Sequence, residues 1–301
     1  MSDIIINEVG LRDGLQNQSC PITTDDKQRL FSSLWNSGLR NFEVTSFVHP
    51  KAVPQMADAE AVMQFLPDAD DAEFTVLVPN RRGYERAVAA GAKAVAVVLT
   101  ATDTFNRRNI QMSLEQATAV CREIIDAAGG DNIYVRAYVS AACGCPYEGP
   151  VSSERVFSLV DAVAQADEIS IADTIGCGGP RQISELMTPL VAEYGCEKFN
   201  LHLHDTRGLA VANAWAGLQA GVRRFDASIG GLGGCPFAPG AAGNLATEDL
   251  VVLLHQCGYS TGIDLEKLLQ AIVVAEEIVG HPLGGRSRKW LQQQDLGSCQ
   301  V

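Results

Sequence analysis

The sequence is short of positive charge. Over 301 residues, 23 Lys and Arg stand against 36 Asp and Glu, a formal net charge of -13. General nucleic-acid binding needs a basic footprint, so this balance argues against it; an anionic small ligand needs only a local patch. No apolar run approaches the roughly 18–20 residues that cross a bilayer, so no membrane span is expected. The opening stretch Met1-Ser2-Asp3-Ile4-Ile5-Ile6-Asn7-Glu8 has no basic n-region and no small-residue cleavage site. It reads as a first strand rather than a signal peptide. The nine cysteines contain no CxxC pair, which excludes a zinc knuckle and a thioredoxin motif. Cys143 and Cys145 form a lone CxC, and reduced thiols in a cytoplasmic setting are the simplest reading. No GxGxxG opens the first helix, no Gly-Lys-Ser/Thr follows the Gly-rich stretch, and no repeat, low-complexity tract or linker stands out.

What is present is a hydrophobic fraction of 47%, enough for a sizeable core, cut into alternating short β-rich runs and helical patterns. The expected strands are Ile4–Val9, Asn41–Thr45, Glu73–Val78, Ala94–Leu99, Ile133–Val139, Glu168–Ile171, Phe199–His204 and Arg224–Ser228. Helical spacing of apolar residues marks Asp25–Asn36, Tyr84–Ala90, Leu114–Ala128, Glu154–Ala164, Gln182–Tyr194 and Leu209–Ala220. Gly-containing turns such as Ser37-Gly38-Leu39 and Ala220-Gly221-Val222 lead from helix to strand. The pattern predicts an α/β fold, a TIM (β/α)8 barrel over residues 1–260, the alternative being an open doubly wound sheet. Residues 261–301, with one more amphipathic helix over Ile263–Val279 and a polar tail, read as a C-terminal helical extension packed on the barrel.

A TIM barrel builds its active site at the C-terminal ends of its strands, so the polar residues falling there are the candidates. His202 and His204 lie two apart in a strand and share a face. With Asp13, which follows the first strand and so neighbours the eighth across the closure, they make an N,O metal set, to which Asn244 could add an amide oxygen. Such a set with water positions left open suits Mg²⁺ or Mn²⁺, and Zn²⁺ or Co²⁺ less specifically. Two histidines on a half-buried strand are also met without a metal. Arg12 beside Asp13 places a fixed cation where it can hold a carbonyl oxygen that becomes an enolate, or can pair locally with Asp13 or Glu8. Cys235 closes the run Ile229-Gly230-Gly231-Leu232-Gly233-Gly234-Cys235, a position suited to a proton donor or nucleophile. Asp173 and Glu43 end strands as a candidate base and an orienting carboxylate, or as structural acids of the mouth. Arg107-Arg108 and Arg81-Arg82 follow strands and either meet phosphates or remain solvated.

Taken together, Gly10-Leu11-Arg12-Asp13-Gly14-Leu15-Gln16-Asn17, Glu43-Val44-Thr45-Ser46, Gly144-Cys145-Pro146-Tyr147-Glu148-Gly149, Asp173-Thr174-Ile175-Gly176, His202-Leu203-His204-Asp205-Thr206 and Gly231-Leu232-Gly233-Gly234-Cys235-Pro236 with Gly243-Asn244 closely resemble the 3-hydroxy-3-methylglutaryl-CoA lyase family, in family order over residues 5–250. The resemblance implies a barrel that cleaves its substrate to acetyl-CoA and acetoacetate with Mg²⁺ or Mn²⁺. It makes Asp13, His202, His204 and Asn244 the metal ligands, with Glu43 supporting them. Arg12 becomes the enolate stabiliser, Asp173 with His202 the route for the 3-hydroxyl proton, and Cys235 the proton donor to the departing enolate. Gln16, Ser46 and Asn109 line the substrate and CoA sites, with Arg107 and Arg108 near the CoA tail. A small acyl-CoA substrate, a homodimer and the cytoplasm complete that expectation.

The chain departs from the family pattern at Gln18-Ser19, His49, Ala172, Arg207 and Thr100-Ala101-Thr102-Asp103, which leaves the acyl group open. An inward-pointing Arg207 would favour a more acidic or differently placed carboxylate. Two other readings remain. A metal-dependent Claisen-type synthase or pyruvate aldolase of the same superfamily is usually longer and lacks the Gly-Gly-Cys-Pro loop. A non-catalytic binding barrel would predict degraded catalytic positions.

Overall fold

The computed structural model describes residues 4–234 and 243–294. In chain order its strands are β1 (Ile5–Glu8), β2 (Asn41–Ser46), β3 (Glu73–Leu77), β4 (Ala94–Thr100), β5 (Tyr134–Ser140), the two-residue β6 (Gly144–Cys145) and β7 (Gly149–Pro150), β8 (Glu168–Asp173), β9 (Phe199–Leu203) and β10 (Arg224–Ala227). Eight of these close into a parallel barrel in the order β1-β10-β9-β8-β5-β4-β3-β2, while β6 and β7 form a separate antiparallel ribbon. Strands such as β4 (Ala-Val-Ala-Val-Val-Leu-Thr) and β8 (Glu-Ile-Ser-Ile-Ala-Asp) are buried over almost their whole length. A parallel sheet walled in by helices requires this of its strands.

The outer helices are α1 (Thr24–Asn36), α2 (Ala59–Phe65), α3 (Arg81–Ala89), α4 (Asp103–Ile110), α5 (Leu114–Asp131), α6 (Ser153–Ala162), α7 (Pro180–Tyr194), α8 (Ala210–Gln219), α9 (Thr247–Gln256), α10 (Leu265–Val279) and α11 (Arg288–Leu291). Local chemistry sets several of their ends. Thr23 and Asp26 form a capping box on α1, as Ser113 and Gln116 do on α5, each satisfying N–H groups that the first turn leaves open. After α1 the chain turns through Gly38 at φ 100°, which glycine adopts without steric cost. The helix α10 packs against α1 and against the turn at Ile229–Gly231.

Four helices escape the sequence pattern. Among them, α2 has only seven residues, and α4 reads Asp-Thr-Phe-Asn-Arg-Arg-Asn-Ile, too polar for a clear apolar stripe. The helix α4 nevertheless stands at the mouth, so Arg107, Arg108 and Asn109 sit on a helix rather than on a loop.

Candidate active site

The chain leaves β1 through one wide helical turn, Gly10–Gly14, closed by the Gly14 N–H donating to the Val9 carbonyl at 3.2 Å. Turns of this width are rare and recur at functional sites. Here the turn lets consecutive residues, Arg12 and Asp13, both line the cavity at the mouth. Crowding requires glycine at its start, since a Cβ on Gly10 would come within 2.6 Å of Glu8 Oε1.

From the other side of the barrel closure come His202 on β9 and His204 one residue beyond its end. The backbone of His204 bridges to that of Asn244, so the strand end and the segment after β10 are tied together. The two Nε2 atoms lie 3.2 Å apart, and the donor atoms of Asp13, His202 and His204 all fall within 4.8 Å of one another in a buried group. Asn244 joins them, donating Nδ2–H to Asp13 Oδ2 at 2.8 Å.

This group fits a divalent cation. Its donors are the carboxylate, imidazole and amide types that hard and borderline ions accept. The Asn244 Oδ1 atom is buried with no donor among the described residues, and a buried lone pair without a partner is costly.

The electrostatics keep Asp13 and His204 deprotonated. Burial raises the Asp13 carboxyl, but Arg12, His202 and His204 outweigh it and hold it below its ordinary value. Burial and the neighbouring His202 push His204 down to about 4, so it is a neutral ring at pH 7. Burial also disfavours the charged form of His202, but the bond and charge of Asp226 win and raise it. Arg12 is clamped from two sides, by Asp13 Oδ1 at 2.7 Å and Glu43 Oε2 at 2.6 Å. The local pairing with Asp13 therefore exists, without removing Arg12 from the cavity.

The cavity has a volume of about 300 Å³. Arg12, Asp13, His202 and His204 stand at its polar end, Leu77, Val98, Phe105 and Ala172 form an apolar wall, and Gln16, Ser46 and Asn109 also line it. Other positions singled out from the sequence lie elsewhere. Glu43 sits beneath Arg12, fully buried. The carboxylate of Asp173 accepts the N–H groups of Cys177 at 2.9 Å and Gly178 at 2.8 Å. It shapes the loop after β8 and does not line the cavity. Arg107 pairs with Asp103 at 2.6 Å, and Arg108 lies over the Tyr147 ring at 4.2 Å; neither lines the cavity. Arg207 donates Nε–H to the Gly176 carbonyl at 3.1 Å, outside the cavity lining. His49 and Arg82 line an adjoining groove. Cys235 lies outside the described residues, while Gly234, which precedes it, lines the cavity.

The HMGL-like family matches residues 3–274. The chain belongs to the HMGL-like family. It is 42% identical over 286 residues to the hydroxymethylglutaryl-CoA lyase YngG of Bacillus subtilis, covering 94% of this chain and 96% of that one. It is 43% identical over 272 residues to the hydroxymethylglutaryl-CoA lyase of Pseudomonas mevalonii, covering 90% of each. Its fold superposes with a TM-score of 0.93, at 38% identity and over 98% of this chain and 97% of the other, on an HMG-CoA lyase of Acinetobacter baumannii in complex with coenzyme A and 3-methylmalate.

Sequence reasoning missed two residues of this HMGL-like site. Asp226 on β10 bonds His202 Nδ1 at 3.0 Å, and Tyr138 on β5 places its hydroxyl 2.9 Å from Asp226 and 3.2 Å from Glu43. A buried acid in a short strand was the only signal for Asp226. Its partner lies on another strand, so no spacing rule points to it.

Proposed function

We propose that this chain is a divalent-metal-dependent carbon–carbon lyase that cleaves 3-hydroxy-3-methylglutaryl-CoA to acetyl-CoA and acetoacetate. The observation carrying this reading is the buried Asp13, His202, His204 and Asn244 group, with Arg12 beside it, at one end of a cavity whose remaining wall is mostly apolar. A thioester-bearing acyl chain fits that division. A bound Mg²⁺ or Mn²⁺ supplies a Lewis acid that lowers the cost of negative charge on a ligand oxygen.

The protein's own residues do the rest. Arg12, held rigid by Asp13 and Glu43, faces the thioester oxygen and stabilises the charge it gains as the enolate forms. Asp13, His202 and His204 line the cavity, and the 3-hydroxyl proton leaves to His202. Asp173 holds the loop after β8 in place from behind. As that proton leaves, the hydroxyl carbon becomes the ketone of acetoacetate and the C–C bond pair moves to the thioester, giving the acetyl-CoA enolate. Cys235, the next residue after a cavity-lining glycine, returns a proton to the enolate carbon. Gln16, Ser46 and Asn109 hold the substrate, while Arg107 and Arg108, on the rim, meet the outer part of CoA. A cytoplasmic homodimer is the working assembly.

The superfamily synthases and aldolases are the second reading, and the 42–43% identity to hydroxymethylglutaryl-CoA lyases over 90% or more of this chain speaks against them. The test is to incubate the purified protein with Mn²⁺ and 3-hydroxy-3-methylglutaryl-CoA and follow acetyl-CoA and acetoacetate, with EDTA as control. Metal-dependent release of both products is expected. Metal and CoA binding without cleavage would reject this substrate. In the same assay Cys235→Ala should bind metal and CoA normally and lose most turnover; near-normal turnover would remove Cys235 from the mechanism.

A further inference from the structure

Asp226 has no ligand-binding role in the reading above, yet it is one of the most heavily bonded side chains in the barrel. It is 1% exposed. The parallel register sets it level with Asn7 on one neighbouring strand and with His202 on the other. Its two oxygens have different surroundings. Oδ1 accepts amide N–H groups from Asn7 and Asn200, both at 2.8 Å, with Arg136 Nη1 at 3.5 Å. Oδ2 faces His202 Nδ1 at 3.0 Å and the Tyr138 hydroxyl at 2.9 Å.

A carboxylate oxygen can only accept, so a neutral His202 must carry its proton on Nδ1 and leave Nε2 bare. Nε2 is the nitrogen on the His204 side, within the cluster of donor atoms at the mouth. We propose that Asp226 is a positioning residue that locks the His202 tautomer, so that a lone pair rather than an N–H is presented to the cavity. The Tyr138 ring, edge-on to His202 at 5.9 Å between centroids and 89° between planes, keeps the imidazole from rotating out of this bond. The inference deepens the lyase reading, because both ligation and proton acceptance at His202 need that lone pair. Its tautomer assignment stands whatever the substrate is.

The asymmetry of the two oxygens gives a sharp test. In Asp226→Asn the new carbonyl oxygen must occupy the Oδ1 place, because Asn7, Asn200 and Arg136 all donate there. The new NH₂ then falls at the Oδ2 place and donates to His202 Nδ1 and to the Tyr138 oxygen, whose own proton turns to Glu43. Every group keeps a partner, so the fold is retained, but the His202 proton is driven to Nε2. A wrong tautomer with intact geometry is known to cost orders of magnitude in turnover elsewhere, and removing the partner of a ligating histidine typically weakens metal binding about 10–100-fold.

The measurement is nitrogen-15 NMR of the histidine rings in the metal-free, substrate-free protein, at a pH where they are neutral, followed by titration with Mn²⁺ alone. The wild type should show His202 protonated on Nδ1. Asp226→Asn should show it on Nε2, with Mn²⁺ affinity down about 10–100-fold and circular dichroism unchanged. Tyr138→Phe, which removes a neighbour but leaves the carboxylate, should keep the Nδ1 proton, which separates tautomer control from a general disturbance of the barrel interior. A wild-type His202 carrying its proton on Nε2 would overturn the proposal even if no variant folds, and so would an Asp226→Asn protein with tautomer and Mn²⁺ affinity unchanged. Because no substrate is present, failure of 3-hydroxy-3-methylglutaryl-CoA cleavage leaves this result independent.

Discussion

The two ends of the barrel interior both bury charge, and they resolve it differently. At the floor Arg136 points into the barrel from β5, 1% exposed, and meets Glu168 at 2.6 Å and Asp226 at 3.5 Å. Arg224 meets the same Glu168 at 3.0 Å, and the Tyr134 hydroxyl adds a bond at 3.1 Å. Opposite charges answer one another there within the protein. At the mouth Arg12 is paired with Asp13 and Glu43, but Glu43 Oε1, Asn244 Oδ1 and His204 Nδ1 have no partner among the described residues. A buried polar group left open costs free energy unless something external completes it. The floor too has buried atoms without a hydrogen bond among the described residues, including Asn7 Oδ1, Asn200 Oδ1 and Arg136 Nη1, but its charges stand in ion pairs within the protein, whereas the mouth opens onto a cavity that can admit a ligand.

Substitutions should divide along this line. The largest effect is expected from Asp13→Ala at the mouth. Turnover should fall on the order of 10³-fold, the scale seen when a principal charge-stabilising group is removed, and Mn²⁺ binding should disappear in calorimetry. Thermal unfolding should move little, because Arg12 retains Glu43. Wild-type metal binding in this variant would break the assignment of the mouth.

Arg136→Met at the floor should do the reverse. Leaving Glu168 and Asp226 without that cation is expected to cost about 3–5 kcal/mol of stability, read from urea unfolding, while the molecules that remain folded still bind Mn²⁺. A variant as stable as the wild type would show that the floor charges contribute nothing net to folding.

The smallest effect concerns pH and two buried carboxyls, Glu8 and Glu248. Glu8, where β1 ends, accepts N–H groups from Gly10 and Ile229 and the hydroxyl of Thr247. Nearby Glu248 accepts from Gly230 and Gly285. Burial pushes both carboxyls up to about 7 against an ordinary 4.5, the bonds offsetting it only in part. A raised carboxyl favours the protonated folded state. Its contribution is complete below about pH 4.5 and is lost as pH rises through about 7. Melting temperature should thus decline between about pH 4.5 and 7 and level off above that, beyond what other groups impose. Glu8→Gln, whose amide can donate to Thr247 where the protonated acid does, should flatten part of that decline. An unchanged slope would show that Glu8 is ionised throughout.

Much of this was legible in the chain because the signals are local. Eight β-rich runs separated by helical spacing gave the barrel, since both periods repeat within a few residues. His202 and His204 share a face by strand period alone, and Arg12-Asp13 follow a strand end in any barrel. The residues that escaped depend on distant partners. Asp226 meets His202 and Asn7 only through register across two strand pairs. Asp173 was legible as an acid at a strand end, but not that two backbone N–H groups of its own loop would claim it. Arg207 stood out as an added cation, and its bond to the Gly176 carbonyl turns on a loop conformation that no periodicity encodes.

By itself, then, the sequence determined the alternation that closes the barrel and the set of side chains at its mouth, because strand and helix periods are properties of neighbouring residues. Only the tertiary structure decided which of those side chains face the cavity and which are held by their own loops. It also decided that Asp226 and Tyr138 stand behind the histidines. Those choices depend on strand register and on hydrogen-bond partners far apart in the chain, such as Asn7 and Asp226, 219 residues apart, and no local pattern fixes them.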